Sequence, residues 1–286
     1  MKTAPQLTFE NTRRMVETRD YRIQINEAGE GHPIIMLHGG GPGATGWSNY
    51  APNIASLSRK FRCIAVTLPG WGESSPQSRA TGRNAVESLK QLVDALNIDR
   101  AAFVGNSMGG GVSVAFTAEY ESRVSHLITL GVGGVPGVNI LQPGLPSEGL
   151  RILVQAYEDP SPQNMKRFVQ ILCYDPSIAS DELAEERSEL ARRYPEHNRN
   201  WLELWRQPLG ASLVPAALVP KLMASTVPLL AIHGRDDRAS SFEASLRIVA
   251  MLPNSRLVLI NRCGHWVQLE HAAEFNRLVD DFVTNN

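Results

Sequence analysis

Gly105-Asn106-Ser107-Met108-Gly109 places a serine in a Gly-x-Ser-x-Gly frame, directly after the apolar stretch Ala101 to Val104, which reads as a strand, and before a stretch that reads as a helix. A serine at such a sharp strand-to-helix turn projects its hydroxyl above a sheet. The glycines two residues to either side let neighbouring backbone pass without a Cβ clash. The frame therefore reads as a nucleophile elbow, and it asks for an acid and a base further along the chain.

Two later strand ends supply them. Val227-Pro228-Leu229-Leu230-Ala231-Ile232 runs into His233-Gly234-Arg235-Asp236-Asp237, and Leu257-Val258-Leu259-Ile260 runs into Cys263-Gly264-His265-Trp266. A serine hydroxyl is a poor nucleophile at neutral pH, so a base must take its proton, and histidine titrates nearest neutrality. An aspartate behind it fixes the imidazole tautomer and stabilises its cation. The order Ser107, Asp237, His265 matches the α/β-hydrolase order of nucleophile, acid and base, and differs from those of the chymotrypsin and subtilisin folds. Asp236 is the alternative acid; the usual Gly-x-x-Asp spacing favours Asp237, counted from Gly234.

A fourth element follows the apolar strand Pro33 to Leu37. His38-Gly39-Gly40-Gly41-Pro42-Gly43 stands where lipases and esterases carry a glycine-rich loop that donates a backbone N–H to the oxyanion. The N–H of Met108, next after the serine, is the second donor. A phosphate cradle is the other reading of such a loop. Neither the Walker spacing nor Gly-x-Gly-x-x-Gly with an acidic ribose partner fits, so nucleotide binding is discounted.

The 286 residues, 43% hydrophobic and 20% charged, suit one large α/β domain with an insertion. With 28 basic and 29 acidic residues the net charge is -1, and no like-charge block points to nucleic acid or an anionic membrane. Met1 to Arg14 is polar and lacks a signal-peptide core, and no run approaches a membrane span, so a cytoplasmic protein is expected. Cys63, Cys173 and Cys263 are far apart and odd in number, which speaks against a disulfide framework or a zinc site. Cys263, close to His265, reads as packing.

Strands are expected at 15–17, 21–26, 33–37, 62–67, 101–105 and 126–131, with helical spacing between the later ones, as at Val86, Leu89, Val93 and Leu96. Strands alternating with helices imply an α/β fold with a mostly parallel central sheet covered on both faces. Ligands bind beyond the carboxyl ends of such strands, where every motif above falls. The domain expectation is a core over residues 1–134, a helical lid over 135–218 and the rest of the core over 219–286. In the lid, Leu150, Leu153, Val154 and Tyr157 form one apolar stripe, and Met165, Phe168, Val169 and Leu172 another. A third helix, from near Ser180 to Pro195, carries Leu183, Leu190, Ala191 and Tyr194 on its apolar face, with Arg187 among them. A charge there needs a partner: solvent, a lid glutamate or a substrate carboxylate. A last helix carries Phe275, Leu278, Val279 and Phe282.

His38–Ala44, Gly46-Trp47-Ser48-Asn49, Gly105–Gly110, Gly234–Arg238 and Cys263–Trp266 together resemble the meta-cleavage-product hydrolases, nearly end to end. These are carbon-carbon bond hydrolases of aromatic degradation, with an α/β-hydrolase fold, a helical lid and no cofactor or metal. They act on 2-hydroxy-6-oxohexa-2,4-dienoates. The resemblance implies Ser107, Asp237 and His265 as the catalytic triad, Gly40 and Met108 as oxyanion donors, and Asn49, Asn106, Arg187 and Trp266 around the dienoate end. Asn49 and Asn106 also read as plain turn residues, and His38 and His233 as loop-shaping. The products implied are 2-hydroxypenta-2,4-dienoate and a carboxylic acid, and relatives are commonly homo-oligomers.

Three departures stand out: Ala239-Ser240-Ser241 where relatives often carry a bulky residue and Val-Pro, Leu172-Cys173 in a segment that is more aromatic in some, and Thr67 where an acidic residue is common. The first two bear on the pocket for the C6 substituent, whose identity stays open between alkyl, phenyl and larger groups. A carboxylic ester hydrolase with the same triad is the rival enzyme, and it has no need of an arginine under the lid. A non-catalytic small-molecule receptor on this fold is the rival from another class.

Overall fold

The computed structural model describes residues 6–77, 84–141, 146–206 and 213–286. Residues 1–5 of the polar N-terminal stretch, and 142–145 and 207–212 of the expected lid, lie outside the described residues. Eight strands form one sheet: β1 (Arg13–Glu17), β2 (Arg22–Ala28), β3 (Pro33–Leu37), β4 (Arg62–Thr67), β5 (Ala101–Asn106), β6 (Val124–Leu130), β7 (Leu229–Gly234) and β8 (Ser255–Ile260). The spatial order is β1-β2-β4-β3-β5-β6-β7-β8. β1 pairs antiparallel with β2 and β2 with β4, while every pairing from β4 to β8 is parallel.

The short apolar runs become strands because alternate side chains go to opposite faces, and both faces are covered. In β3, Ile35 and Leu37 join a core with Phe103, Leu89, Val93 and Phe116. Their neighbours Ile34 and Met36 enter a second core with Val104, Tyr50, Phe275 and Phe282. Helix Ala85–Ala95 covers the first face, and helices Gly46–Leu57 and Ala272–Asn285 cover the second. The chain leaves β3 toward β4 on one side and continues from β5 to β8 on the other, so strand order reverses between β3 and β5. Such a switch point opens a crevice at the carboxyl ends of the two strands. The His38–Gly43 loop and Ser107 leave the sheet there.

Between β6 and β7 the described residues form four longer helices, Glu148–Glu158, Pro162–Leu172, Asp181–Arg193 and Pro195–Trp205. Ser147 and Ser180 cap the first and third by accepting the N–H of Leu150 and Leu183. The buried face of Asp181–Arg193 is Ala184, Arg187, Ser188 and Ala191, while Leu183 and Leu190 are only half-buried. This is a correction to the expected stripe. Small side chains at 184, 188 and 191 let the helix lie close to its neighbours, and close approach outweighs the larger apolar groups in choosing the face.

Candidate active site

Ser107 stands between β5 and helix Met108–Glu119 with φ +54° and ψ -113°, a left-handed setting. For a residue with a Cβ, this costs about 1–3 kcal/mol and needs the surroundings to enforce it. They do: its N–H donates to the Leu130 carbonyl (2.8 Å), and its own carbonyl accepts from Gly111 (3.1 Å) and Gly133 (3.3 Å). A Cβ on Gly105 would collide with the Gly109 carbonyl, and one on Gly109 with the Leu37 carbonyl. Close backbone approach therefore explains both frame glycines.

His265 donates Nδ1–H to Asp237 Oδ2 at 2.7 Å, because a carboxylate can only accept. Asp237 Oδ1 accepts the N–H of Ala239 (2.8 Å) and Ser240 (2.9 Å). Oδ2 also receives Nε2–H of His233 at 3.1 Å, and Ser245 Oγ meets His233 Nδ1 at 2.7 Å. Burial alone would raise the Asp237 carboxyl, but the charge and hydrogen bonds of the two histidines outweigh it and hold the group well below the usual carboxylate range. Asp236 makes its ion pair with Arg235 instead, at 3.3 Å. Ser107 and His265 border one cavity. Among the described residues no hydrogen bond joins Ser107 Oγ to the imidazole; nucleophile–base contacts of this kind often tighten only around substrate.

Gly40 and Met108 adjoin: a Cβ on Gly40 would come within 3.3 Å of the Met108 sulfur. His38 sets the peptide between Gly39 and Gly40. Its Nε2 accepts the N–H of Leu68 (3.0 Å), so Nδ1 carries the proton and donates to the Gly39 carbonyl (2.8 Å). In a trans peptide the N–H points opposite to the carbonyl, so fixing the Gly39 oxygen also aims the Gly40 N–H. Burial lowers the His38 pKa to about 4, which keeps this donor-acceptor pair neutral. From the lid, Tyr157 donates its hydroxyl to the Gly40 carbonyl at 2.8 Å. Asn49 Oδ1 accepts the N–H of Gly39 at 3.1 Å.

Arg187 reaches the same cavity from helix Asp181–Arg193. It is 3% exposed, and its guanidinium lies 5.7 Å from the Phe168 ring and 5.4 Å from the Trp266 ring. One terminal nitrogen donates to the Pro42 carbonyl at 2.7 Å, Nε is buried without a partner, and among the described residues no carboxylate pairs with it. Burial pushes its pKa down to about 10. A desolvated cation with so little compensation is costly unless an anion completes it.

Of the other expected residues, Trp266 and Asn49 border the cavity. Asn106 does so as well, but its Nδ2 ties the elbow to the carbonyls of Leu130 and His265 (both 3.2 Å), leaving Oδ1 unpartnered. Sequence reasoning did not single out Phe168, Tyr157, Leu150 or Leu153 for the site, it met Ser240 only within the Ala239-Ser240-Ser241 departure that bears on the pocket, and it read His233 as a loop residue. Leu150 and Leu153 were assigned to a packing stripe; they line the cavity and stay half-exposed. For His233 the available signal is its position at a strand end, four residues before Asp237. Cys63, Cys173 and Cys263 are free and buried, and burial pushes the Cys63 thiol up to about 12. Among the described residues no group of three or more His, Cys, Asp or Glu side chains could hold a metal ion, and no helix is long and apolar enough to cross a membrane.

The family described as the alpha/beta hydrolase fold matches residues 32–272. A 2-hydroxy-6-oxo-6-phenylhexa-2,4-dienoate hydrolase from Burkholderia cepacia is 39% identical over 272 residues, covering 93% of this chain and 92% of that protein. A 2-hydroxy-6-oxononadienedioate/2-hydroxy-6-oxononatrienedioate hydrolase from Cupriavidus pinatubonensis is also 39% identical, over 98% of both chains. Among solved structures, a meta-cleavage product hydrolase from Pseudomonas fluorescens superposes with a TM-score of 0.83 at 29% identity, covering 95% of this chain and 97% of the other. The chain therefore belongs to the meta-cleavage-product hydrolases of the α/β-hydrolase family.

Proposed function

We propose that the protein hydrolyses the C5–C6 bond of a 2-hydroxy-6-oxohexa-2,4-dienoate-type ring-fission product in aromatic degradation, giving 2-hydroxypenta-2,4-dienoate and a carboxylic acid. The observation that carries this reading is Arg187, a buried cation without a carboxylate partner among the described residues, in the cavity that Ser107 and His265 border. An ester hydrolase needs no such group. The dienoate carboxylate completes the guanidinium through its two-pronged donor geometry, and the Phe168 and Trp266 rings favour the cation between them.

The chemistry balances with water alone. Ketonisation moves the 2-hydroxyl proton to C5, so that the C5 fragment becomes a stabilised leaving group. Ser107, or a water that it and His265 activate, adds to the C6 carbonyl, and His265 takes the released proton. The N–H groups of Gly40 and Met108 stabilise the resulting oxyanion. Collapse breaks C5–C6, the electron pair runs through the C3–C4 bond into the C2 carbonyl to give the dienolate, and His265 returns the proton; where Ser107 is the nucleophile, a water that His265 activates then hydrolyses the acyl-serine to release the carboxylic acid. No cofactor or metal enters this scheme. The proposed setting is the cytoplasm and the proposed assembly a homo-oligomer, which size-exclusion chromatography with light scattering tests.

Turnover of a yellow 6-substituted dienoate is expected to exceed that of a nitrophenyl ester. Ser107→Ala is expected to lower kcat at least about a thousandfold while the circular dichroism spectrum stays native. Arg187→Ala is expected to reduce kcat/KM for the dienoate by about a hundredfold but to change ester hydrolysis much less. Equal losses on both substrates would make Arg187 a packing residue and return the ester hydrolase to first place.

A further inference from the structure

Identity does not decide what the C6 arm carries. A relative named for a 6-phenyl monoacid and one named for a dioate are both 39% identical to this chain. The two substrate types differ in charge, and charge can be counted on the cavity wall. Among the described residues, Arg187 is the one permanently cationic side chain that borders the cavity. On the dienoate reading, on which this inference rests, the C1 carboxylate occupies it.

Apart from His265, the rest of the wall offers only neutral side chains. Gly149, Leu150, Leu153 and Ala239 are apolar, and the remaining side chain in that part of the lining is the hydroxyl of Ser240. Ser240 lies close to the nucleophile: a Cβ on Gly133 would stand 3.5 Å from Ser240 Oγ and 3.8 Å from Ser107 Oγ. The helix that brings Leu150 and Leu153 also brings its N-terminus, which in other settings attracts anions. Here two of those N–H groups are spent, Gly149 on the Arg238 carbonyl (3.0 Å) and Leu150 on Ser147 Oγ (3.2 Å), and Glu148 adds a negative charge in the first turn. Of the arginines adjacent in sequence to lining residues, Arg238 donates to the carbonyls of Gln170 (2.7 Å) and Cys173 (3.0 Å), Arg151 and Arg167 are exposed, and none of the three lines the cavity. Outside the described residues, 142–145 and 207–212 contain no lysine, arginine or histidine, while 1–5 and 78–83 carry Lys2, Arg79 and Arg83.

We propose that the C6 subsite takes an uncharged aryl or alkyl group, and that the protein is specific for monocarboxylate dienoates against those whose C6 arm ends in a second carboxylate. Leaving that carboxylate without a partner in the cavity lowers kcat/KM by about tenfold to a hundredfold.

The test is a steady-state comparison, followed by loss of dienolate colour, of four substrates: the 6-phenyl compound, the 6-methyl compound, the 2-hydroxy-6-oxononadienedioate, and that dioate with its C9 carboxylate replaced by a primary amide. The 6-phenyl and 6-methyl compounds are expected to turn over well and the dioate at least about tenfold less efficiently, chiefly through KM, with the amide recovering most of the loss because it matches the dioate in size but not in charge. A dioate handled as well as the 6-phenyl compound overturns the proposal, as does an amide as poor as the dioate, which would make length the discriminator. If none of the four outpaces a nitrophenyl ester, the dienoate reading itself falls, a result distinct from either of these.

Discussion

At the scale of single residues, the proposed acid is held by more than the base it serves. Asp237 Oδ2 receives one proton from His265 and another from His233, while Oδ1 takes two backbone N–H groups. His233 is fully buried, and Ser245 fixes which of its nitrogens faces the carboxylate. Its part is to position Asp237, and through it the His265 ring. His233→Phe keeps an aromatic, somewhat larger ring but removes all three hydrogen bonds, to Asp237, Ser245 and the Ser240 carbonyl, so kcat is expected to fall about tenfold or more with little change in KM, since no substrate contact is lost. A change confined to thermal stability, with kcat intact, would make His233 a purely structural side chain. Asp237 rather than Asp236 facing His265 is legible from the Gly-x-x-Asp spacing alone. The second histidine is not, because nothing in a linear sequence says that a strand-end ring folds back onto an acid four residues later. Arg187 is legible for the opposite reason: a charge on an otherwise apolar helical face is an anomaly, and anomalies survive the absence of coordinates.

Among the elements, the lid and the glycine-rich loop act as one unit. Tyr157 bonds the Gly40 carbonyl, Arg187 bonds the Pro42 carbonyl, and a Cβ on Gly43, whose φ is +65°, would strike the Arg187 carbonyl. The loop that carries a proposed oxyanion donor is thus clamped from above by two lid helices. The lid also stiffens itself, since Tyr157 stacks on Trp201 with centroids 3.9 Å apart and rings 6° from parallel. Tyr157→Phe retains that stack but releases the Gly40 carbonyl. It is expected to lower kcat about fivefold to tenfold for the dienoate with less than a twofold change in KM, and unchanged kinetics would show that the loop holds its shape without the lid. Strand positions are legible to within a few residues because both faces of the sheet are buried, and continuous apolar runs such as Pro33–Leu37 leave little choice. The lid is less so. Its apolar side chains divide between packing and lining a cavity, which periodicity cannot separate: Leu153 and Val169 belong to stripes of the same kind, yet Leu153 lines the cavity and Val169 is fully packed.

For the molecule as a whole, histidines that the fold desolvates, His38, His126 and His197 buried and His32 partly covered at the surface, set a pH limit. Burial lowers the pKa of His38, to about 4, and those of His32, His126 and His197 in the same direction. Each of these folded values lies below the unfolded one, near 6.5, so as pH falls through that value the unfolded chain takes up protons that the folded chain refuses. Stability is therefore complete above about pH 6.5 and declines progressively toward pH 4. Asp237 continues the trend lower down: its depressed folded pKa contributes stability above the usual carboxylate value of about 4, and that is lost on further acidification. Glu270 has the opposite sign, since burial raises its pKa and acid favours its folded form, but it is one group against four histidines. The melting temperature is expected to fall by at least about 5 °C between pH 7 and pH 4.5. His38→Asn keeps a donor for the Gly39 carbonyl but cannot take up a proton, so it is expected to start from a lower melting temperature and to show a shallower acid slope. A slope identical to that of the wild-type chain would mean that His38 is not among the groups that limit the fold in acid, and that the loop is held there by its other bonds, from Asn49, Trp71, Tyr157 and Arg187.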